Sequence, residues 1–413
     1  MTSHLQHLDR RTSDADFDAL LHRFRPIFER IAEGVIEREK NRTLPFEQIR
    51  WLKEAGFGAI RVPIEYGGGG ISIQQLTIIL IELAEADSNV AQALRGHFAF
   101  VEDRINAHVN APQTEWLQRF VAGDLVGCAW TEIGAVKIGD RTTRISQKGG
   151  KWVVNGTKYY STGSIFSDWI DLLARREDTG KDVTVAIRTD QPGIRQLDDW
   201  DGFGQRTTGS GTAIFENAEI ELKNIIEHSE RFKYQTAFHQ LVLIAVMVGI
   251  GRAAVKIFAK EVSKRTRIYS HGNASSVDQD AQIQQVVGKA SAQVYTAESA
   301  ALRAAEANHR AYLSHYEQNV EIEHHANVEA LRETTQSQIG VISLILTATA
   351  ELFNALGASA TSTEKQLDRY WRNARTVASH NPVVYKERII GDWEINGHEP
   401  PFVLQIGGGN KQE

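Results

Sequence analysis

The fold turns on the stretch Lys151-Trp152-Val153-Val154-Asn155-Gly156-Thr157-Lys158-Tyr159-Tyr160-Ser161-Thr162. Its opening run is β-branched and aromatic, and Asn155-Gly156 reads as a turn of the hairpin kind. Similar runs recur at Trp169 to Leu173, Val183 to Ile187 and Thr212 to Phe215, separated by Gly, Asp and Asn, so a small sheet domain is expected here. On either side the period changes. Phe17, Leu20, Leu21, Phe24, Ile27, Phe28 and Ile31 lie three and four apart, the apolar stripe of a helix. A second helix is expected from Pro45 to Ala55, stopped by Gly56, and another from Ile71 to Ala86 after the glycine run Gly67 to Gly70. From about Phe232 to Ser379 helical periodicity returns.

Helix, sheet, helix is therefore the order, an α+β multidomain chain. The expected division is an N-terminal helical domain over 1–124, a central β-sandwich or barrel over 125–232, and a C-terminal four-helix bundle over 233–379. Residues 380–413 hold Asn381-Pro382, Pro400-Pro401 and Gly407-Gly408-Gly409, so they read as a tail or closing loop over the pocket.

The 413 residues are 42% hydrophobic and 24% charged, the balance of an ordinary globular protein. A formal net charge of -6, with no dense Lys and Arg face, argues against nucleic acid as a partner. The single cysteine, Cys128, excludes an intrachain disulfide and a cysteine zinc site, and reads as an inert core thiol. The polar amino terminus lacks a secretory apolar run. Leu241 to Ile250 is apolar but short of the ~20 residues of a membrane span. A cytoplasmic protein with no membrane partner is expected, with Leu241 to Ile250 in a buried helix.

Local motifs decide little. Gly67 to Gly70 lacks the Lys-Ser or Lys-Thr of a phosphate loop and reads as a turn. Glu321-Ile322-Glu323-His324 has the spacing of half a di-iron site, but no second half is found, so a solvated face is the better reading. Gly209-Ser210-Gly211 reads as a turn, and no nucleophile elbow occurs.

An ordered set of segments is more informative. Gly56-Phe57-Gly58 through Val62-Pro63 and Glu65-Tyr66-Gly67-Gly68 resembles the amino-terminal block of acyl-CoA dehydrogenases. Trp130-Thr131-Glu132-Ile133-Gly134 resembles their Thr-Glu-x-Gly segment, and Asn155 to Thr162 their Gly-x-Lys-x-Trp-Ile-Thr strand. Leu367-Asp368-Arg369-Tyr370-Trp371-Arg372-Asn373-Ala374-Arg375 resembles their Arg-rich helix. The resemblance runs from about Phe17 to Pro382. It implies a flavin lying against the sheet domain, with Thr131, Ser161 and Thr162 at its polar edge and Tyr160 as an aromatic wall. It also implies that Arg265 and Arg267 contact cofactor phosphate across a subunit boundary, in a homotetramer.

The chain departs from the dehydrogenases at the catalytic base. Where the family places its glutamate after the Arg-rich helix, this sequence has Ser379-His380-Asn381-Pro382, and at the alternative seat it has His239-Gln240. With both seats vacant, the sequence resembles the flavin-dependent monooxygenase branch of the same family, which includes dibenzothiophene monooxygenase. That resemblance implies reduced FMN delivered by a separate reductase, O2, and a flavin C4a-hydroperoxide oxygenating an organosulfur compound. His380 is the expected donor to the peroxide, His97 its helper, and Ser161 counts as catalytic as well as cofactor-binding. Val377 stands where the dibenzothiophene enzymes carry a second histidine. The alternatives are an FAD-dependent acyl-CoA dehydrogenase or oxidase, an aromatic or N-hydroxylating monooxygenase of the same fold, and a catalytically silent binding subunit. Trp393 and Asn396-Gly397-His398 are candidate lid residues. No metal is expected.

Overall fold

A computed structural model describes residues 12–133 and 140–403; Gly134 and Gly407 to Gly409 lie outside the described residues. The amino-terminal part is helical: α1 (Asp14–Ala32), α2 (Val35–Asn41), α3 (Phe46–Glu54), α4 (Ile73–Ala86), α5 (Ser88–Ala93), α6 (Arg95–His108) and α7 (Thr114–Val121). The Ser13 hydroxyl caps α1, whose stripe Phe17, Leu21, Phe24, Phe28 and Ile31 is buried. Ser72 and Gln75 form a reciprocal capping box at the start of α4, which fixes where that helix leaves the glycine turn.

Eight strands follow: β1 (Val126–Ala129), β2 (Arg144–Lys148), β3 (Lys151–Lys158), β4 (Trp169–Arg176), β5 (Asp182–Arg188), β6 (Ile194–Gln196), β7 (Ala213–Glu219) and β8 (Ile225–Glu227). They form one hydrogen-bonded sheet in the order β6-β7-β3-β2-β4-β5-β8, with β1 pairing in parallel with the first half of β4. Ile145, Val154, Ile170, Leu172, Val185 and Phe215 fill its core. The Asn155-Gly156 turn expected from sequence is not a turn. Strand β3 runs straight through it with a bulge against β7 between Val154 and Gly156. Gly156 sits at φ +152°, and a Cβ there would lie 2.5 Å from Thr143 Oγ1, so glycine serves close strand approach and not reversal.

The carboxyl-terminal part holds α8 (Gln235–Ser263), α9 (Ala281–Tyr316), α10 (Val320–Glu351), α11 (Arg369–Ala378) and α12 (Val383–Asn396). By length and composition, α8 and the α10 region could each cross a membrane, but 78% of the apolar window of α8 is buried in protein, against 44% for the α10 region. Every residue from Leu241 to Ile250 is buried, so α8 is the central helix of the bundle. The expected tail is overturned in part. The chain does break after α11, but Pro382 supplies a helix start and residues 383–396 form α12. Trp393 packs under Arg332 of α10, its ring centroid 5.6 Å from the guanidinium, and His398 bonds back to Asp392. These two candidate lid residues therefore engage the bundle surface and their own helix.

One buried ion-pair set joins the three parts. Arg231, in the linker before α8, lies 3.2 Å from Asp103 on α6 and 3.1 Å from Asp171 on β4. All three are buried, and both carboxylates hold the guanidinium charged against the cost of burial.

Candidate active site

The site is assembled from the end of β1. Trp130 and Thr131 follow that strand, and the Thr131 carbonyl accepts from the Tyr159 amide at 3.1 Å, which sets the two sequence-predicted flavin segments side by side. Lys158 fixes this junction. Its fully buried ammonium donates to the Trp130 carbonyl at 3.2 Å and to Glu132 at 2.6 Å, and Glu132 also accepts from the Thr142 and Thr143 amides. Burial lowers the Lys158 pKa to about 8, while for Glu132 those donors outweigh burial and hold it at about 2, so both are charged at neutral pH.

Beyond this junction the backbone is strained. Tyr160 adopts φ +68°, a left-handed conformation that costs an L-residue on the order of 1–2 kcal/mol. Its ring is half exposed, 4.7 Å from Tyr159 and 5.9 Å from Trp200 by centroids. Gly163, at φ +78°, lets the segment approach α5 so closely that a Cβ would lie 2.0 Å from the Ala93 carbonyl.

The hydroxyls differ from expectation. Ser161 Oγ is buried and donates to the Gly211 carbonyl at 2.6 Å, so it cannot also donate to a ligand. Thr162 meets Ser210 at 2.7 Å, Ser210 meets Thr208 at 2.7 Å, and Thr208 donates to the Gln205 carbonyl at 3.0 Å. That carbonyl end fixes the direction of the chain: Ser210 donates to Thr208 and Thr162 to Ser210. The hydroxyls of Ser161 and Thr162 therefore keep only acceptor lone pairs, and the Ser161 hydroxyl as a proton donor is corrected. Thr131 is half-buried, and its hydroxyl has no hydrogen bond among the described residues.

His97 is a second correction. It is 1% exposed, its Nδ1 accepts from the Val126 amide at 3.2 Å and its Nε2 donates to the Gly58 carbonyl at 2.8 Å. Both ring nitrogens tie the turn after α3 to β1, leaving nothing for a pocket. Burial lowers its pKa to about 4 and keeps it neutral.

His380 meets the opposite environment. It follows α11 and its residue surface is accessible, yet the protein around it depresses its pKa to about 3, by burial first and then by the charges of Arg95 and Lys386. Its surroundings are basic, since both of those cations bear on it. His239, at the start of α8, is the neighbour: burial, then Arg95, Arg231 and His380, push its pKa well down. Its ring lies 5.5 Å from that of Trp130, and its Nδ1 is 3.3 Å from Arg95 Nη1. Trp130 in turn donates its indole N–H to Asp171 at 3.1 Å. The Thr131 and Tyr159–Thr162 segments, Trp130, His239, Arg95 and His380 thus belong to one constellation.

Arg265 and Arg267 are not brought to it within this chain. They lie just beyond α8, Arg265 over the Tyr269 ring at 5.3 Å and Arg267 exposed without an ion pair among the described residues. Cys128 is inert as expected, its pKa pushed up to about 12 by burial. Glu321 and His324 are exposed, His324 pairing with Glu399, and no metal-binding group of side chains occurs among the described residues. A cavity of about 800 Å³ lined by His228, Arg231 and Phe402 lies on the far side of Trp130, whose ring is 5.6 Å from that of His228. Another of about 600 Å³ lies between α1, α4, α8 and α11; His380 lines neither.

The sequence pointed to His97 and passed over Arg95 two residues earlier, and it treated His239 only as a missing glutamate. Lys386 was hidden inside the supposed tail. The available signal was an arginine within the largely apolar stretch from Val90 to Phe100, which also holds Gln92 and His97.

The acyl-CoA dehydrogenase N-terminal, middle and C-terminal domain profiles match residues 17–124, 128–218 and 241–385 in that order. The chain belongs to the acyl-CoA dehydrogenase family. Within that family it is 26% identical over 387 residues to a dibenzothiophene monooxygenase of Mycolicibacterium goodii, covering 89% of this chain and 91% of that protein. It is 24% identical to a probable FMNH2-dependent monooxygenase of Pseudomonas putida, covering 89% and 93% of the two chains. The FMN-bound dibenzothiophene monooxygenase TdsC of Paenibacillus sp. A11-2 superposes with a TM-score of 0.83 at 24% identity, covering 92% of this chain and 98% of that one. For an acyl-CoA dehydrogenase fold the site is unusual: among the described residues no carboxylate contributes to the electrostatic surroundings of His380 or Arg95.

Proposed function

We propose that this protein is a two-component monooxygenase that takes reduced FMN from a separate reductase and oxygenates an organosulfur compound. The observation that carries the reading is the basic setting of His380, where Arg95 and Lys386 bear on the imidazole and no carboxylate among the described residues does, so the group best placed to remove a proton from carbon is not found there. The residues present fit a reduced flavin. Reduced flavin carries N–H groups at its polar edge, and the hydroxyls of Ser161 and Thr162, their protons already committed, could meet it only as acceptors. Thr131 supplies a free hydroxyl and Tyr160 a wall for the ring. When bound, reduced FMN supplies the two electrons that divide O2 between the product and water.

His380, neutral at physiological pH, would offer its ring N–H as a donor to the reacting oxygen and so polarise it toward the substrate. Trp130 and Tyr160 limit water, so that reducing equivalents reach product in place of hydrogen peroxide. Arg265 and Arg267 would serve the phosphate of a neighbouring subunit in a homotetramer, and the setting would be cytoplasmic.

The test supplies reduced FMN and oxygen to the purified protein with a sulfur substrate and measures product and peroxide together. His380→Ala is expected to lower product formation on the order of 100-fold, about 3 kcal/mol of barrier, while peroxide release rises. Reduction of a bound FAD by an acyl-CoA without oxygen would refute the reading in favour of dehydrogenation.

A further inference from the structure

The loop between β6 and β7 ties the flavin segment to α11, the helix that leads to His380. Gln205 is its anchor. This residue is buried and adopts φ +51°, a left-handed conformation that an L-residue keeps only where its neighbours hold it. They do so from two sides: the Gln205 amide donates to Asn373 Oδ1 on α11 at 2.6 Å, and its side chain donates to Ser88 Oγ at the start of α5 at 2.9 Å. The adjacent Gly204 lies so close to α11 that a Cβ there would stand 2.1 Å from the Arg372 carbonyl. The Gln205 carbonyl, fixed in this way, accepts from the Trp200 indole at 2.9 Å and from Thr208 Oγ1 at 3.0 Å.

From that carbonyl a chain of hydroxyls leads back to the flavin segment. Thr208, Ser210 and Thr162 are all buried, and their successive oxygens are 2.7 Å apart. The Gly163 amide donates to the Thr208 carbonyl at 3.1 Å, so loop and segment run side by side. A hydroxyl oxygen 3.0 Å from a carbonyl oxygen has to donate to it, because two acceptors at that distance repel. Thr208 therefore gives its proton to Gln205, Ser210 gives its proton to Thr208, and Thr162 gives its proton to Ser210. Each hydroxyl has a single proton, so the orientation at the Thr162 end is set at the Gln205 end.

Resting on the reading above, in which Thr162 lies at the edge of a bound flavin, we propose that Thr208 and Ser210, anchored by Gln205 and Asn373, are positioning residues that set the redox preference of the cofactor site. By locking Thr162 as an acceptor they favour reduced flavin over oxidised flavin. Reduction turns ring nitrogens that carry a bare lone pair into N–H donors. A hydroxyl locked as an acceptor bonds to such an N–H, and it opposes the lone pair that stands there after oxidation. The relay would hold the flavin while it carries electrons and loosen its hold once they are gone. A protein that exchanges flavin with a separate reductase needs that asymmetry.

The experiment measures the Kd of oxidised and of reduced FMN by anaerobic titration for wild type, Thr208→Val, Thr208→Ser and Ser210→Ala, with the Tm of each protein. Thr208→Val keeps the shape of the side chain and removes the acceptor of the Ser210 proton. Ser210 then turns to donate to Thr162, and Thr162 donates toward the ring. The ratio of oxidised to reduced Kd is expected to fall at least about tenfold in Thr208→Val, the worth of one hydrogen bond gained or lost, and to return to the wild-type value in Thr208→Ser. Ser210→Ala should lower the ratio less, because its Thr162 hydroxyl is free to turn either way. A merely structural role would weaken both redox states together and leave the ratio unchanged. An unchanged ratio in Thr208→Val overturns the relay, and if that variant does not fold, an unchanged ratio in Ser210→Ala does the same. A wild type that binds oxidised FMN as tightly as reduced FMN overturns it as well. Turnover of an organosulfur compound with reduced FMN is followed separately. Coupled product with unchanged ratios removes the relay and leaves the monooxygenase reading standing, whereas ratios that fall as expected without any product leave the relay standing and remove the monooxygenase reading.

Discussion

Replacing His97 separates a structural histidine from a catalytic one. In His97→Phe the Gly58 carbonyl and Val126 amide both lose their partner inside the core, at about 1–3 kcal/mol each, so a loss of about 2–6 kcal/mol is expected. The pH dependence sharpens this. The folded-state pKa is depressed from an ordinary value near 6.5 to about 4, so between those values the unfolded chain binds about one proton more than the folded one. Stability from this histidine is complete above pH 6.5 and is lost as pH falls toward 4, at about 1.4 kcal/mol per unit. Between pH 7 and pH 5 the contribution is about 2 kcal/mol. Urea unfolding of wild type and His97→Gln at the two pH values reads it directly: the wild type should lose about 2 kcal/mol more than the variant on acidification. Equal acid sensitivity would refute the argument. So would a His97→Gln protein of undiminished stability that releases peroxide in place of product, since that would return His97 to the pocket.

Lys158→Met should destabilise the protein by about 3 kcal/mol and weaken reduced-FMN binding, because it frees the Trp130–Thr131 segment and strands Glu132; adding Glu132→Gln should recover part of the stability in urea unfolding. Arg231→Met leaves Asp171 as a buried carboxylate without an ion pair and Asp103 with Arg104 alone, and a loss of about 3–5 kcal/mol is expected in the same assay. With Ser161 and Thr162 as acceptors, reduced FMN should bind at least about tenfold more tightly than oxidised FMN by anaerobic titration. Equal affinities would mean that these hydroxyls do not meet the reduced ring edge.

The helices and the sheet were legible because their signals are periodic and local: the stripe from Phe17 to Ile31 and the β-branched runs each report one buried face. Asn155-Gly156 misled because the same dipeptide serves a turn and a bulge, and only the distant Thr143 distinguishes them. Residues 383–396 were misread because flanking prolines and glycines are stop signals that equally well bracket a helix. The roles of Ser161 and His97 were beyond sequence for another reason. Whether a hydroxyl donates or a ring nitrogen is free depends on backbone groups far along the chain, Gly211 for one and Gly58 with Val126 for the other.

The same reasoning explains why the cleft could not be read from its motif. Glutamate to histidine at the seat now held by His380 removes the base, but an absent base does not by itself create an oxygenase. What gives the site a direction is the sum of charges around it. Arg231 is buried and doubly paired, and it holds three parts of the protein together. Arg95 and Lys386 are also buried and have no carboxylate partner among the described residues. A fold that pairs its structural arginine twice and leaves two other buried cations uncompensated concentrates positive potential where His380 stands, and there it favours whatever negative charge arrives or develops during the reaction.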